Sequence, residues 1–408
     1  MRIKLDHPSS YIEGELKISG SKSESNRLLV LQALYPKIVI ENLSNSDDTQ
    51  VTEHALNSSD SIINVHHAGT AMRFLTAYFS IQPDREIILT GSKRMQERPI
   101  GFLVDALKYL GAEISYDKKE GYPPLRIRGK KIIKSKVNLP AGISSQYISA
   151  LMLIATSLEE GLTINLVGEL TSVPYIKMTK KILDQLGFDT SFINNQIQIS
   201  SASRIQPKIW TVESDWSSAS YFYSILALSK GGHLKLSSFK KESIQGDSAL
   251  SEIYKSLGVV TSFDLGVINL SKLEDFDIPK FINIDLRNTP DLAQTIAVSC
   301  LGLGIGCKLR GLHTLKIKET DRLSALKIEM EKLGAKINIT SNSLELYPNP
   351  QLNNNIAINT YNDHRMAMAF APLAVKVPII INDSRVVSKS YPNFWDDLKS
   401  IDFLEEII

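Results

Sequence analysis

Four times along this chain a helix-like stretch ends in Leu-Gly and runs directly into an extended segment. The pairs are Leu110-Gly111, Leu186-Gly187, Leu257-Gly258 and Leu333-Gly334, each followed by apolar or β-branched residues. A glycine in that place supplies the left-handed C-cap that lets a chain leave a helix and enter a strand. One such ending is commonplace. Four of them, at intervals of 76, 71 and 76 residues, describe a repeated α/β unit. The interval is too long for a solenoid helix pair and suits two helices with about four strands. Residues 38–40, 162–166 and 379–381 are β-branched, strand-like segments between the helices, with Pro378 tolerated at the edge of the last. No Pro/Gly/Ser-rich linker divides the 408 residues, so the expected domains are joined tightly.

Charge narrows the class of function. Lys and Arg number 46 against 44 Asp and Glu, which argues against nucleic-acid and membrane-surface partners and leaves any cationic site local. The two cysteines, Cys300 and Cys307, are too few for a disulfide framework and lack metal-type spacing. The seven histidines include the pair His66-His67 but no His-Glu-x-x-His, so no metal is expected. The N-terminus lacks a signal-peptide pattern, and no run approaches the ~20 apolar residues of a membrane span. A cytoplasmic protein is the expectation.

Several short motifs place cations or hydroxyls where helices begin. Ser21-Lys22-Ser23-Glu24-Ser25-Asn26-Arg27 runs into an apolar stretch; a helix start of this kind suits a phosphate, through free backbone N–H groups, the dipole and two cations. It is not a Walker A loop, because Ser21 precedes the lysine where glycine is required. By itself it is equally a Ser-capped helix with a solvated lysine. His67-Ala68-Gly69-Thr70-Ala71-Met72-Arg73 opens another helix, with Gly69 allowing close backbone approach. Arg98 stands before Pro99 at a further helix start, and Ser144-Ser145-Gln146-Tyr147 opens one more.

The sharpest motif is Lys318-Glu319-Thr320-Asp321-Arg322, which sets carboxylates between two cations; a surface ion-pair cluster is its plainer reading. In Asp363-His364-Arg365-Met366-Ala367, Asp363 reads as an N-cap, and His364 and Arg365 follow in the first turn. A cation there opposes the dipole unless an anion offsets it. Asp291, after Pro290, reads as either a helix cap or an acid with work to do. Ser388-Lys389-Ser390 completes the set, and the glycines at 302, 304 and 306 follow a helix, which excludes a dinucleotide loop.

Taken in order, these motifs resemble the 5-enolpyruvylshikimate-3-phosphate synthase family, from Ser21 to Pro392, the pairing of Lys-Glu-Thr-Asp-Arg with Asp-His-Arg-Met-Ala being the most specific element. The resemblance implies an α/β, two-lobed enolpyruvyl transferase fold, each lobe built from three repeated units. One lobe spans 20–214, mainly the shikimate 3-phosphate side; the other comprises 1–19 and 215–408. It implies transfer of the enolpyruvyl group of phosphoenolpyruvate to the 5-hydroxyl of shikimate 3-phosphate, releasing phosphate, by a monomer with no cofactor and no metal.

By resemblance, Lys22, Ser23, Arg27, Ser144, Ser145, Gln146, Ser172, Asp291 and Lys318 contact shikimate 3-phosphate, with Tyr175 alongside. Lys22, Gly69, Arg98, Gln146, Arg322, Arg365 and Lys389 clamp phosphoenolpyruvate. Asp291, Glu319 and Lys22 carry catalysis, Asp291 as base on the hydroxyl and Glu319 as proton carrier for the methylene carbon. Departures are His67 and Thr314, each where the family usually has Asn, and a first repeat shortened between Arg27 and His67 by roughly one strand-helix portion. Gly69 implies glyphosate sensitivity. The related UDP-N-acetylglucosamine enolpyruvyl transferases use a thiol in the first lobe, and no cysteine precedes Cys300 here.

Overall fold

The four Leu-Gly glycines all take the left-handed conformation, with φ of 119° at Gly111, 93° at Gly187, 80° at Gly258 and 96° at Gly334. Each ends a helix and delivers the chain to the outer strand of a hairpin. The computed structural model describes residues 1–408 except Ile143, Glu169, Thr171, Ser172, Ser203, Arg204 and Pro350. Its contacts divide into two units, Gly20–Val212 and Met1–Ser19 with Glu213–Ile408.

One βαβαββ pattern generates both. In Gly20–Val212 the strand Ile62–Asn64 crosses through helix Gly69–Ser80 to the parallel strand Glu86–Thr90. Helix Gly101–Leu110 then leads to the hairpin Glu113–Tyr116 and Leu125–Arg128, whose second strand pairs antiparallel with Glu86–Thr90. Lys136–Pro140, helix Ser145–Ala155, Leu162–Val167, helix Val173–Leu186 and the hairpin Thr190–Ile193/Gln196–Ile199 repeat the arrangement.

The third copy is cut short. Lys208–Thr211 lies parallel to Ile38–Glu41, with helices Lys22–Leu34 and Asp47–Asn57, and among the described residues the sheet holds only those two strands. The shortening is therefore the loss of one hairpin, and not of the strand-helix portion expected from the sequence, since both helices are present. It also explains why residues 56–59 lack a Leu-Gly ending: there is no outer strand to enter.

The other unit contains three four-stranded copies. Tyr11–Leu16 pairs in parallel with Gly231–Ser237, so the first copy is interrupted by the whole of Gly20–Val212. The second runs from Phe281–Asp285 to Ser343–Leu346. The third begins at Ile356–Ile358 and borrows its last strand, Ile3–Asp6, from the N-terminus. Glu213 and Ser214, placed with the first lobe on sequence, hydrogen bond on the other side of the crossover. Ser214 Oγ donates to Ile18 O at 2.6 Å, and Trp216 Nε1 donates to Glu213 Oε1 at 2.7 Å.

Two connections per copy bear on function. The first strand hands the chain to a helix starting at Lys22, Gly69, Ser145, Trp216 or His364, or at the turn Pro290–Leu292 before Ala293–Gly302. The second strand hands it to the next helix through loops carrying Asp47 and Asp48, Arg98, Asp247, Lys318 to Arg322, and Lys389. All but one of the described residues expected at the site fall on or within one turn of these connections; Arg27 lies in the second turn of its helix.

Gly187 tests the capping argument, because an added Cβ there meets nothing within 4 Å and only the positive φ opposes it. Gly187→Ala is expected to lower unfolding free energy by about 1 kcal/mol. A urea midpoint equal to that of the parent protein would show that the glycine is not needed for its backbone.

Candidate active site

In the Glu213–Ile408 region the site is organised around a buried guanidinium. The Arg322 side chain is 2% exposed at the start of helix Arg322–Lys332. Its Nε donates to Asp363 Oδ2 at 2.7 Å, Nη1 to Asp291 Oδ1 at 3.0 Å, and Nη2 to Glu319 Oε2 at 2.9 Å. Burial acts to lower its pKa, but Asp363, Glu319 and Asp291 outweigh that and hold it above the usual arginine value. This excludes the plainer reading of Lys318–Arg322 as a solvated surface cluster.

Asp291 is shared by three cations. Besides Arg322, Lys318 Nζ lies 3.5 Å from Oδ1 and Arg365 Nη2 lies 3.2 Å from Oδ2. The carboxylate occupies the turn Pro290–Leu292, and the following helix has Leu292 at its N-cap. The capping alternative for Asp291 is set aside on that geometry. Asp363 does cap its helix, accepting from Arg365 N at 3.0 Å while also holding Arg322. The Arg365 cation in that first turn, which the dipole disfavours, is thus offset by carboxylates, Asp291 among them. Arg365 Nη2 also donates to Ser217 Oγ at 3.3 Å. Lys389 Nζ donates to Asn362 O at 2.6 Å, beside the same helix start.

Gly20–Val212 carries a second cluster. Lys22 Nζ stands 3.6 Å from Asp48 Oδ2. His67 Nε2 lies 3.8 Å from both Asp47 and Asp48, so the departure at His67 faces Asp48, the acid that pairs with Lys22, and its neighbour Asp47. Arg27 is buried, donating through Nε to Thr179 Oγ1 at 2.7 Å and through Nη2 to Ser149 Oγ at 3.1 Å. Its Nη1 donates to Ser23 O at 2.6 Å, and its guanidinium lies over the Phe74 and Tyr175 rings. Burial pushes its pKa down to about 10, which leaves it charged at neutral pH. Arg27 thereby ties helix Lys22–Leu34 to helices Ser145–Ala155 and Val173–Leu186.

Ser144 caps helix Ser145–Ala155, accepting from Gln146 N at 3.4 Å, and Gln146 Nε2 reaches Thr70 Oγ1 at 3.1 Å. The Gly69 and Arg98 motifs meet in space: a Cβ built on Gly69 would lie 2.6 Å from Arg98 Nη1. Arg73 braces the same turn, donating to Gly69 O at 3.2 Å and Pro99 O at 2.9 Å. Ser172 lies outside the described residues.

Sequence reasoning missed Asp48, Ser149, Thr179, Ser217 and Asp247. Asp48 carried a signal, an Asp-Asp pair at a helix start facing Lys22. The hydroxyls of Ser149 and Thr179 carried none: Ser149 lies within a mostly apolar helix, and Thr179 stands among Lys177, Lys180 and Lys181 on an amphipathic one. Among the described residues no group of three His, Cys, Asp or Glu is arranged to hold a metal, and no helix is long and apolar enough to cross a membrane.

Comparison with known proteins places this geometry. The family profile described as EPSP synthase (3-phosphoshikimate 1-carboxyvinyltransferase) matches residues 53–398. A 3-phosphoshikimate 1-carboxyvinyltransferase of Bacteroides fragilis is 44% identical over 407 residues, covering 99% of this chain and 98% of the relative. One from Vibrio campbellii is 36% identical over 428 residues, covering 97% and 98%. In fold, the chain superimposes with a TM-score of 0.77 on the EPSP synthase of Acinetobacter baumannii, at 18% identity and full coverage of both. An enolpyruvyl transferase of Streptomyces tendae gives a TM-score of 0.75 at 14% identity, covering 99% of each. The repeated units with Arg322 and its carboxylates, read alongside these relatives, establish that the chain belongs to the EPSP synthase (3-phosphoshikimate 1-carboxyvinyltransferase) family.

Proposed function

We propose that the chain carries out its family's reaction with the residues named above, moving the enolpyruvyl group of phosphoenolpyruvate to the 5-hydroxyl of shikimate 3-phosphate and releasing phosphate. The observation that carries the assignment of roles is Asp291, a carboxylate held between Lys318, Arg322 and Arg365. Both substrates are multiply anionic. Their phosphate and carboxylate groups draw Arg322, Arg365 and Lys318 toward themselves. As those cations turn to the ligand, Asp291 loses the charges that hold its electron pair and becomes a better proton acceptor for the hydroxyl.

Glu319, bonded to Arg322 in the same way, supplies the proton for the methylene carbon. Lys22 neutralises charge on both substrates. Ser23, Arg27, Ser144, Ser145, Gln146 and Ser172 hold shikimate 3-phosphate together with Asp291 and Lys318. Gly69, Arg98, Gln146, Arg322, Arg365 and Lys389 hold phosphoenolpyruvate. Action as a cytoplasmic monomer without nucleic acid belongs to the same proposal; the near-balance of 46 basic and 44 acidic residues supports its last part.

Incubating the protein with both substrates should release phosphate. No release above background from folded protein at micromolar concentration would overturn the proposal. Asp291→Asn is expected to lower kcat by about 10²- to 10⁴-fold, the usual contribution of a positioned acid or base. Lys22→Ala should nearly abolish turnover without unfolding the protein, whereas near-normal turnover would return Lys22 to a solvated helix start.

Gly69→Ala probes the clamp. The new methyl group displaces the Arg98 guanidinium, which would otherwise lie 2.6 Å from it. The KM for phosphoenolpyruvate should rise roughly tenfold, equivalent to about 1.4 kcal/mol of lost binding, with little change in the KM for shikimate 3-phosphate. Equal changes in both constants would count against a clamp at Arg98.

A further inference from the structure

Asp247 was no part of the motifs above, yet it occupies a telling place in the repeat. In four of the other copies the loop after the second strand carries Asp48, Arg98, the Lys318–Arg322 motif or Lys389. In the copy built on Gly231–Ser237 the corresponding loop carries Asp247, in the single turn Gly246–Ala249. That turn is fixed at its start: Gln245 Nε2 donates to Ser214 O at 2.8 Å, and its Oε1 accepts from Trp216 N at 3.0 Å. The loop is thus fastened to the start of helix Trp216–Leu228, where Ser217 lies.

Asp247 is 6% exposed, and its carboxyl accepts a hydrogen bond from Ser217 Oγ. Ser217 Oγ in turn accepts from Arg365 Nη2 at 3.3 Å, the nitrogen that also meets Asp291 Oδ2 at 3.2 Å. Direction matters here. A hydroxyl that donates its only proton to a carboxyl presents its lone pairs to the guanidinium, and such a chain strengthens each of its bonds. We infer that Asp247 is a positioning residue, which fixes the Ser217 hydroxyl as an acceptor and so sets the orientation of Arg365 for an anionic ligand. The inference rests on the reading of Arg365 as a phosphoenolpyruvate contact.

The same arrangement links ligand binding to a proton. Burial, then the neighbouring charge of Asp291, push the Asp247 carboxyl up to about 7, against Arg365 and the Ser217 hydrogen bond, with Asp215 adding to the rise. An anion arriving at Arg365 brings further negative charge and favours the protonated form. Affinity for that anion should therefore be greater below pH ~7 and fall as Asp247 ionises above it.

The test measures both KM values and kcat for the full-length protein and five variants: Asp247→Ala, Asp247→Asn, Ser217→Ala, the double alanine variant and Arg365→Ala. Asp247→Ala and Ser217→Ala should each raise the KM for phosphoenolpyruvate about five- to tenfold while kcat and the KM for shikimate 3-phosphate change less than about twofold, the pattern of lost ground-state binding. The double variant should be no worse than either single one, since both break one chain. Asp247→Asn keeps an acceptor for Ser217 and should restore most of the loss. It should also remove the part of the pH dependence of that KM that is centred near 7; the ligand's own titration is common to both proteins and cancels.

Ser217→Ala leaves the buried carboxyl in place and keeps the test valid if Asp247→Ala does not fold. Additive losses, equal loss for both substrates, or normal kinetics of Asp247→Ala and Ser217→Ala beside an impaired Arg365→Ala would overturn the inference alone. A normal KM in Arg365→Ala would instead overturn the reading of Arg365, and the inference with it.

Discussion

The charge of Arg322 is the constraint around which the Glu213–Ile408 region is arranged. A guanidinium with its side chain 2% exposed has given up its hydration, a cost of several kcal/mol. That cost is offset because three carboxylates converge from separate elements: the turn Pro290–Leu292, the segment before Arg322–Lys332, and the cap of His364–Phe370. Removing any one leaves a buried charge partly uncompensated, a loss of about 3–5 kcal/mol for pairs of this kind. The same charge registers one repeat against the next, since Asp363 belongs to the copy that follows. Asp363 then caps its own helix through Arg365 N, so fixing Arg322 also fixes the backbone from which Arg365 projects.

Much of the architecture was legible in the sequence because its signal is backbone chemistry. A residue at positive φ stands where each full repeat turns from its second helix into its hairpin; Gly111, Gly187, Gly258 and Gly334 mark four of those places at nearly constant spacing, and Asp402 at φ 69° takes the fifth. That this copy is shortened between Arg27 and His67 was visible for the same reason, as a helix without its glycine, but that the lost part is a hairpin and not a strand with its helix was not. Less visible was the circular order of the copies. Ile3–Asp6 completes a sheet whose other strands lie beyond residue 355, and no local pattern reports a pairing across that separation.

For the candidate site, residues at helix starts could be read and those reached by side chains could not. Lys22, Gly69, Ser144, Asp291, Arg322 and Arg365 stand where a strand gives way to a helix, a position that exposes backbone donors and biases residue choice. Thr179 and Ser149 are found only because Arg27 spans three helices to reach them. Gly69 illustrates both cases. Its place in a helix start was plain, but its reason, room for the Arg98 guanidinium, depends on a residue 29 positions away. Asp247 was obscured by its neighbours, Gly246 and Ser248 reading as an ordinary turn.

The balance of charge has a chemical consequence of its own. Lys318, Arg322 and Arg365 face Asp291, Glu319 and Asp363, so the cations of this cluster are already paired before any ligand arrives. An anion bound there does not fill an open positive field; it exchanges partners with a carboxylate. Such an exchange lets a strongly charged ligand bind without the protein having to store a large unpaired charge in its free state, which would cost far more. It also decides which groups change on binding. Asp363 is committed to a helix cap and to Arg322 at once, so the carboxylates with most freedom to be released are Asp291 and Glu319. These are the two to which proton transfer is assigned in the proposed reaction. In that proposed reaction binding and acid–base chemistry are one event: the ligand's own charge, by taking the cations, would change the basicity of the carboxylates left behind.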